Sequence, residues 1–144
     1  MRLHPDPPSQ ESAVAGLLSA FLRKAASMPF RYGSADCLTW MAPWVLARRG
    51  VDPGTGIRET YSTEFGALRI VRKAGGMVPF LDGVFAPLGI VRAAAPRPGD
   101  VAVVQGRPDE GEIGGLVLER LVACLARPAG LFLRPTPIIA AWRI

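Results

Sequence analysis

The sequence predicts an α+β domain, with N-terminal helices packed on one face of a C-terminal antiparallel β-sheet. In the first part of the chain apolar residues recur at three- and four-residue spacing, whereas after Leu88 short β-type runs alternate with turn residues. The connections between these runs are short, which suits antiparallel pairing. No break in composition suggests a second domain. Residues 9–144 are therefore interpreted as one domain that follows a Pro-rich arm, residues 1–8.

Two helices are predicted in the first 50 residues. The first starts at Ser9 and is closed by Pro29, and the second runs from about Asp36 to Arg49. Pro43 lies past the first turn of the second helix, so it predicts a kink that costs roughly 3 kcal/mol. The apolar stripe of this helix comprises Cys37, Trp40, Met41, Trp44 and Val45. Within it, the pair Trp40 and Trp44 is interpreted as core packing and not as a ligand-stacking site.

A third helix is predicted to start at the cap Ser62 and to end at Gly75-Gly76, and a short fourth one to run from Pro79 through Phe85. The side chains expected to face inward from the third helix are Phe65, Leu68 and Val71. Six strands are predicted near residues 88–93, 101–105, 113–118, 121–126, 131–134 and 138–143. Cys124, on an alternating strand, is assigned to the core.

The stretch from Met28 to Met41 carries the candidate chemistry. Its turn-forming residues lead into Asp36, a good N-cap because its carboxylate can accept hydrogen bonds from free amides of a first turn. Cys37 would then lie in that turn, where the partial positive charge of a helix N-terminus favours the thiolate that a cysteine nucleophile needs. The competing interpretation is a buried structural thiol. The residues themselves leave both open.

Composition limits the function classes. The chain has 144 residues, of which 49% are hydrophobic, and this is enough for a substantial core. No apolar run reaches membrane-spanning length and the N-terminus has no signal pattern, so synthesis in a cytoplasm is expected. Cys37 and Cys124 have neither disulfide-framework nor metal-site spacing, and no metal or cofactor is predicted. The net charge of +5 comes mainly from scattered arginines, which favours a solvated basic surface over a nucleic-acid interface.

Two motifs occur in a fixed order along the chain. The first is Phe30-Arg-Tyr-Gly-Ser-Ala-Asp-Cys37-Leu-Thr-Trp40, and the second is Arg97-Pro-Gly-Asp100-Val-Ala-Val-Val104. Together they resemble the aromatic–Gly…Asp-Cys…aromatic signature and the Pro-Gly-Asp–hydrophobic strand of the NlpC-type peptidases, a branch of the papain-like cysteine peptidases. The likeness covers most of residues 28–126. With the closing Ala140-Ala-Trp-Arg-Ile144, the chain looks most like a small group of phage-tail and gene-transfer-agent proteins related to tail-associated cell-wall peptidases.

The resemblance also implies a histidine that this chain lacks. In active members the strand after the Pro-Gly-Asp strand begins with a histidine that accepts the cysteine proton. Aligning Gly115 with the family glycine puts Ile113 in that position, and the only histidine of the chain is His4, in the Pro-rich arm. A carboxylate nearby, from Glu110 or Glu112, would raise the cysteine pKa rather than lower it.

The resemblance therefore implies a tail component that is made in a bacterial cytoplasm, is located in the virion tail and is associated with distal-tail, hub or tail-tip proteins. It also implies a papain-like or NlpC-like fold and no ordinary peptidase activity. The alternative is a cysteine peptidase or amidase that acts on peptidoglycan peptides, with Cys37 as nucleophile. A third possibility is an assembly factor that is absent from the finished particle. The Pro-rich arm and exposed sheet residues are the candidate contacts with partners.

Overall fold

The computed structural model describes residues 9–127, 130–135 and 137–144, and it places the helices before the strands, which confirms the predicted α+β layout. The helices are α1 (Gln10–Ser27), α2 (Ala42–Arg49), α3 (Glu64–Ala74) and α4 (Met77–Phe85), and a 3-10 turn follows at Ala86–Leu88. The strands are β1 (Val101–Gln105), β2 (Glu112–Val117), β3 (Leu121–Ala126), β4 (Gly130–Pro135) and β5 (Ile138–Trp142). The arm predicted at residues 1–8, with His4, lies outside the described residues.

The sheet is antiparallel with the strand order β4-β3-β2-β1-β5. Strands β1 to β4 form a meander, and β5 returns to pair with β1 on its free side. One sheet face packs against the helices around residues such as Val103 and Leu116, whereas the other carries a second cluster around Val104 and Cys124. Cys124 is fully buried there, which confirms its assignment to the core.

The predicted strand at residues 88–93 is wrong in its extent. Gly89 takes a left-handed conformation that ends the 3-10 turn, and the chain then lies beside β5 for only three residues. There Ala93 N donates to Ala141 O at 2.8 Å, and Arg143 N donates to Val91 O at 3.0 Å. This segment covers only part of the outer edge of β5.

The predicted second helix is too long at its N-terminal end. Residues 36–41 form turns, and α2 begins only at Ala42, with Pro43 in its first turn. The amide that proline lacks has no helical partner at that position, so Pro43 starts the helix and does not kink it. Trp40 and Trp44 are both buried against Phe21 of α1, as predicted for core residues.

The third helix differs from the prediction in its cap and in its buried side. Thr63, not Ser62, caps α3 by accepting a hydrogen bond from Gly66 N at 3.1 Å. Phe65 is 72% exposed and Leu68 is 45% exposed, so neither faces inward as predicted. The helix packs on α4, and Ala67 is its buried residue. Within the described part of the chain no other element covers the opposite side of α3.

The close approach of β3 to β2 requires glycine at position 115. A Cβ on Gly115 would collide with the carbonyl oxygen of Ala123 and would lie 2.9 Å from the Cys124 sulfur. We expect Gly115→Ala to lower the free energy of unfolding by about 1–3 kcal/mol, measured by urea denaturation. The matched control is Gly83→Ala in α4, where no atom lies within 4 Å of the new methyl group. That variant should be more stable by about 0.5–1 kcal/mol, and similar losses in both would contradict the prediction.

Candidate functional site

Cys37 lies in the wall of a cavity of about 410 Å³ between α3, the loop before α2 and the β1–β2 hairpin. The apolar lining comes from side chains on all of these elements, including Phe30, Tyr32, Leu38, Leu68, Val71 and Ile113. The charged groups at the rim carry both signs, and Arg107 of the hairpin pairs with Glu110 and lies 3.9 Å from Asp109. The cavity is large enough for a small ligand or for a few side chains of a partner.

Asp36 is fully buried and ties together the loop that carries Cys37. Its Oδ1 accepts hydrogen bonds from Leu38 N at 2.9 Å, Thr39 N at 3.0 Å and Thr39 Oγ1 at 3.0 Å. Its Oδ2 accepts from Gly33 N and from the Tyr61 hydroxyl, both at 2.6 Å. The predicted capping bonds are therefore present, but they cap an isolated turn and not an α-helix. Because both of its oxygens accept hydrogen bonds from groups of the protein itself, the Asp36 carboxylate has a structural role: it holds the Cys37 loop in place.

Tyr61 joins the Cys37 loop to α3. Its side chain packs against Gly66, where an added Cβ would lie 2.8 Å from the Tyr61 Cβ. Burial, followed by the hydrogen bond to Asp36, raises the pKa of the Tyr61 hydroxyl, so this group stays protonated and keeps donating. No local pattern in the sequence predicts this contact, because 25 residues separate the two partners. The spacing of Thr39 could have pointed to its role, because it lies three residues after the capping aspartate, the position from which a capping box returns a hydrogen bond. Its Oγ1 accepts from Asp36 N at 3.1 Å.

The Cys37 thiol is held in its neutral form. Burial raises the pKa of this thiol to about 12, and the carboxylate of Asp36 raises it next, with a smaller contribution from Glu64. The backbone amides of Cys37 and Leu38 lower the pKa, but by less. The prediction that a helix N-terminus favours the Cys37 thiolate is wrong, because α2 starts five residues beyond Cys37. The site therefore disfavours the thiolate.

Ile113 lines the same cavity as Cys37, so the structure brings these two predicted positions together. The strand register shows which face of the sheet each of the first β2 residues occupies. Ile113 pairs with Val104 and packs in the second cluster, whereas Gly114 lies on the helix-facing side, where an added Cβ would be 3.0 Å from the Met41 Cε. By strand alternation Glu112 shares the face of Gly114 and also lines the cavity. The start of β2 thus presents a carboxylate and an isoleucine to the site, and no imidazole.

The second motif fixes residues 143–144 and α2 to the start of β1. Asp100 is buried and accepts hydrogen bonds from Arg97 N at 3.0 Å, Arg143 Nε at 3.1 Å and Ile144 N at 3.2 Å. The Trp44 indole donates to Gly99 O at 2.7 Å, which fixes α2 to the start of β1. Gly99 has a φ of +93°, a conformation that favours glycine. Both motifs therefore have a structural role that is independent of catalysis.

The described residues contain neither a metal-binding cluster nor a membrane-spanning helix. Within residues 9–127, 130–135 and 137–144 no group of three or more His, Cys, Asp or Glu side chains is arranged to hold a metal ion. In the same part of the chain no helix combines the length and apolar character needed to cross a membrane.

Comparison with known proteins gives a family and no function. Neither the curated proteins nor the solved structures contain a match to this chain. Residues 11–144 match the family model described as "Domain of unknown function (DUF6950)". Because this match spans well over half of the sequence, the chain belongs to the DUF6950 family.

Proposed function

We propose that the chain is a structural component of a phage or gene-transfer-agent tail, in which a peptidase-like α+β fold is kept as an assembly module without thiol hydrolase activity. The proposed lack of thiol hydrolase activity rests on the environment of Cys37. Its pKa is raised to about 12 by burial and by Asp36, and the β2 residues at the cavity are Glu112 and Ile113. Thiol catalysis needs both a thiolate and a base that activates water.

The tail assignment rests on the resemblance of the two motifs and of the C-terminal strand to tail-associated proteins. It is supported by the way the motif residues are used. Asp36 binds internal donors only, and Asp100 holds Arg143 and Ile144 at the end of the chain. A protein that had lost catalysis but still needed this fold would keep these residues, because they stabilise it.

The expected partners are distal-tail, hub or tail-tip proteins. A partner can add to the outer edge of β5, since residues 91–93 pair with only part of it and Ile139 is 48% exposed. Peptidoglycan is the expected substrate only under the enzymatic alternative.

The test is made on purified particles from the host that encodes the chain. We expect mass spectrometry to find the protein in the tail fraction, and deletion of its gene to abolish infectious or transfer-competent particles. Cys37→Ser should leave the particle titre within about twofold of wild type, because the proposed role does not use the thiol.

Three outcomes would contradict the proposal. Protein that stays in the soluble fraction with no particle association removes the tail role. A protein needed for assembly but missing from finished particles indicates an assembly factor. Peptidoglycan hydrolysis by the wild-type protein that Cys37→Ser abolishes establishes the alternative, a cysteine peptidase or amidase.

A further inference from the structure

Helix α3 presents an outer face that combines large apolar side chains with cations. We define the α3 face as Phe65, Leu68, Arg69 and Arg72, which recur at three- and four-residue spacing and therefore share one side of the helix. All four are exposed, and Phe65, at 72%, is the most exposed large hydrophobic side chain in the described part of the chain. Single exposed apolar residues are common, but an aligned pair beside two arginines is a more specific feature.

The α3 face is held rigidly by contacts on the other side of the helix. Thr63 caps the N-terminus, and Gly66 packs against Tyr61, whose hydroxyl donates to the buried Asp36. At the C-terminus the amides of Gly75 and Gly76 donate to Arg72 O and Val71 O at 3.0 and 2.9 Å. A preorganised surface loses little conformational entropy when it binds, which favours recognition.

The charge of this face is uncompensated within the described residues. No carboxylate in that part of the chain lies within ion-pair distance of Arg69, Arg72 or the adjacent Lys73, whereas Arg58, Arg92 and Arg143 each pair with an aspartate. Cations in the last turn of a helix suit its dipole, and this accounts for Arg72 and Lys73. It does not account for Arg69, which lies near the middle of the helix.

The α3 face is continuous with the Cys37 cavity, because Leu68 and Arg72 belong to both. That cavity also carries the carboxylates of Glu64, Asp109, Glu110 and Glu112, so acidic side chains of a ligand are favoured on the outer side of α3 and not at the cavity mouth. We propose that the α3 face binds a segment of a partner protein that carries acidic side chains beside a large apolar one. The apolar residue packs on Phe65 and Leu68, and the carboxylates pair with Arg69 and Arg72. Nucleic acid fits less well, since phosphates gain nothing from Leu68 and the face offers one aromatic ring for stacking. This inference does not depend on the tail assignment.

The test selects a displayed library of random 12-residue peptides on the purified wild-type protein. We expect the enriched peptides to contain Asp or Glu next to Leu, Ile, Phe or Trp. Binding of a labelled enriched peptide, measured by fluorescence anisotropy, should weaken at least tenfold in Phe65→Ser and in the double variant Arg69→Glu/Arg72→Glu. The charge-reversed protein should in turn prefer a version of the peptide with Lys in place of its acidic residues, by a similar factor.

The control is the double variant Leu17→Ser/Arg23→Glu on α1, which removes an exposed leucine and an exposed arginine elsewhere. Its peptide affinity should stay within twofold of wild type, and circular dichroism should show all variants folded. The proposal is overturned if no peptide is enriched, if enriched peptides are basic, or if the α1 control weakens binding equally. Binding of phosphatidylglycerol vesicles or single-stranded DNA that exceeds peptide binding and is lost in the same variants would also overturn it.

Discussion

The Cys37 thiol is expected to react with iodoacetamide at pH 8 about 10³-fold more slowly than an ordinary cysteine. With a pKa of about 12, roughly one thiol in 10⁴ is ionised at this pH, compared with about one in ten for the ordinary value of 9.0. The rate should keep rising up to pH 10 without a plateau. Peptide mapping by mass spectrometry separates Cys37 from the buried Cys124, whose pKa burial also raises to about 12.

The control is the same reaction in concentrated urea, where both cysteines should alkylate at the ordinary rate. A rate that levels off below about pH 8 in the folded protein would mean that Cys37 is a stabilised thiolate, and it would restore the case for an enzyme.

The raised pKa of Cys37 also makes the stability of the fold depend on pH. Because the unfolded chain ionises first, the stability that the neutral thiol contributes is complete below about pH 9 and is lost as the pH rises towards 12.

Replacing Asp36 by alanine is expected to lower the free energy of unfolding by about 3–5 kcal/mol, because it leaves several buried donors without an acceptor. Those donors are the amides of Gly33, Leu38 and Thr39 and the hydroxyls of Thr39 and Tyr61. The measurement is equilibrium urea denaturation followed by tryptophan fluorescence.

The milder variant Tyr61→Phe removes one of these bonds and should cost about 1–2 kcal/mol, which keeps the test informative if the alanine variant does not fold. The matched control is Asp109→Ala, since that carboxylate is 79% exposed and its nearest cation, Arg107, is 3.9 Å away. It should change stability by less than about 0.5 kcal/mol. Equal losses in the free energy of unfolding from Asp36→Ala and Asp109→Ala would show that the Asp36 carboxylate does not hold the loop in place.

Much of the fold could be predicted because it depends on local signals. The capping serine and Pro29 bracket α1, and the Gly75-Gly76 pair marks the end of α3. The turn residues between apolar runs gave the strand positions of the β1–β4 meander. The error at the start of α2 arose where two local signals competed. The apolar stripe from Cys37 through Val45 indicated one continuous helix. Pro43, however, favours the first turn of a helix, and α2 begins at Ala42.

The sequence by itself determined the α+β layout, the capping chemistry of Asp36 and the absence of any histidine between residues 9 and 144. Only the tertiary structure decided what surrounds the Cys37 thiol and which side of α3 is covered. Both depend on contacts between residues far apart in sequence, such as Tyr61 with Asp36 and Gly114 with Met41. Periodicity shows that a helix has an apolar side, but whether that side is buried depends on which elements pack beside it. For Phe65 and Leu68 no described element does, and an apparent core stripe became a candidate binding surface.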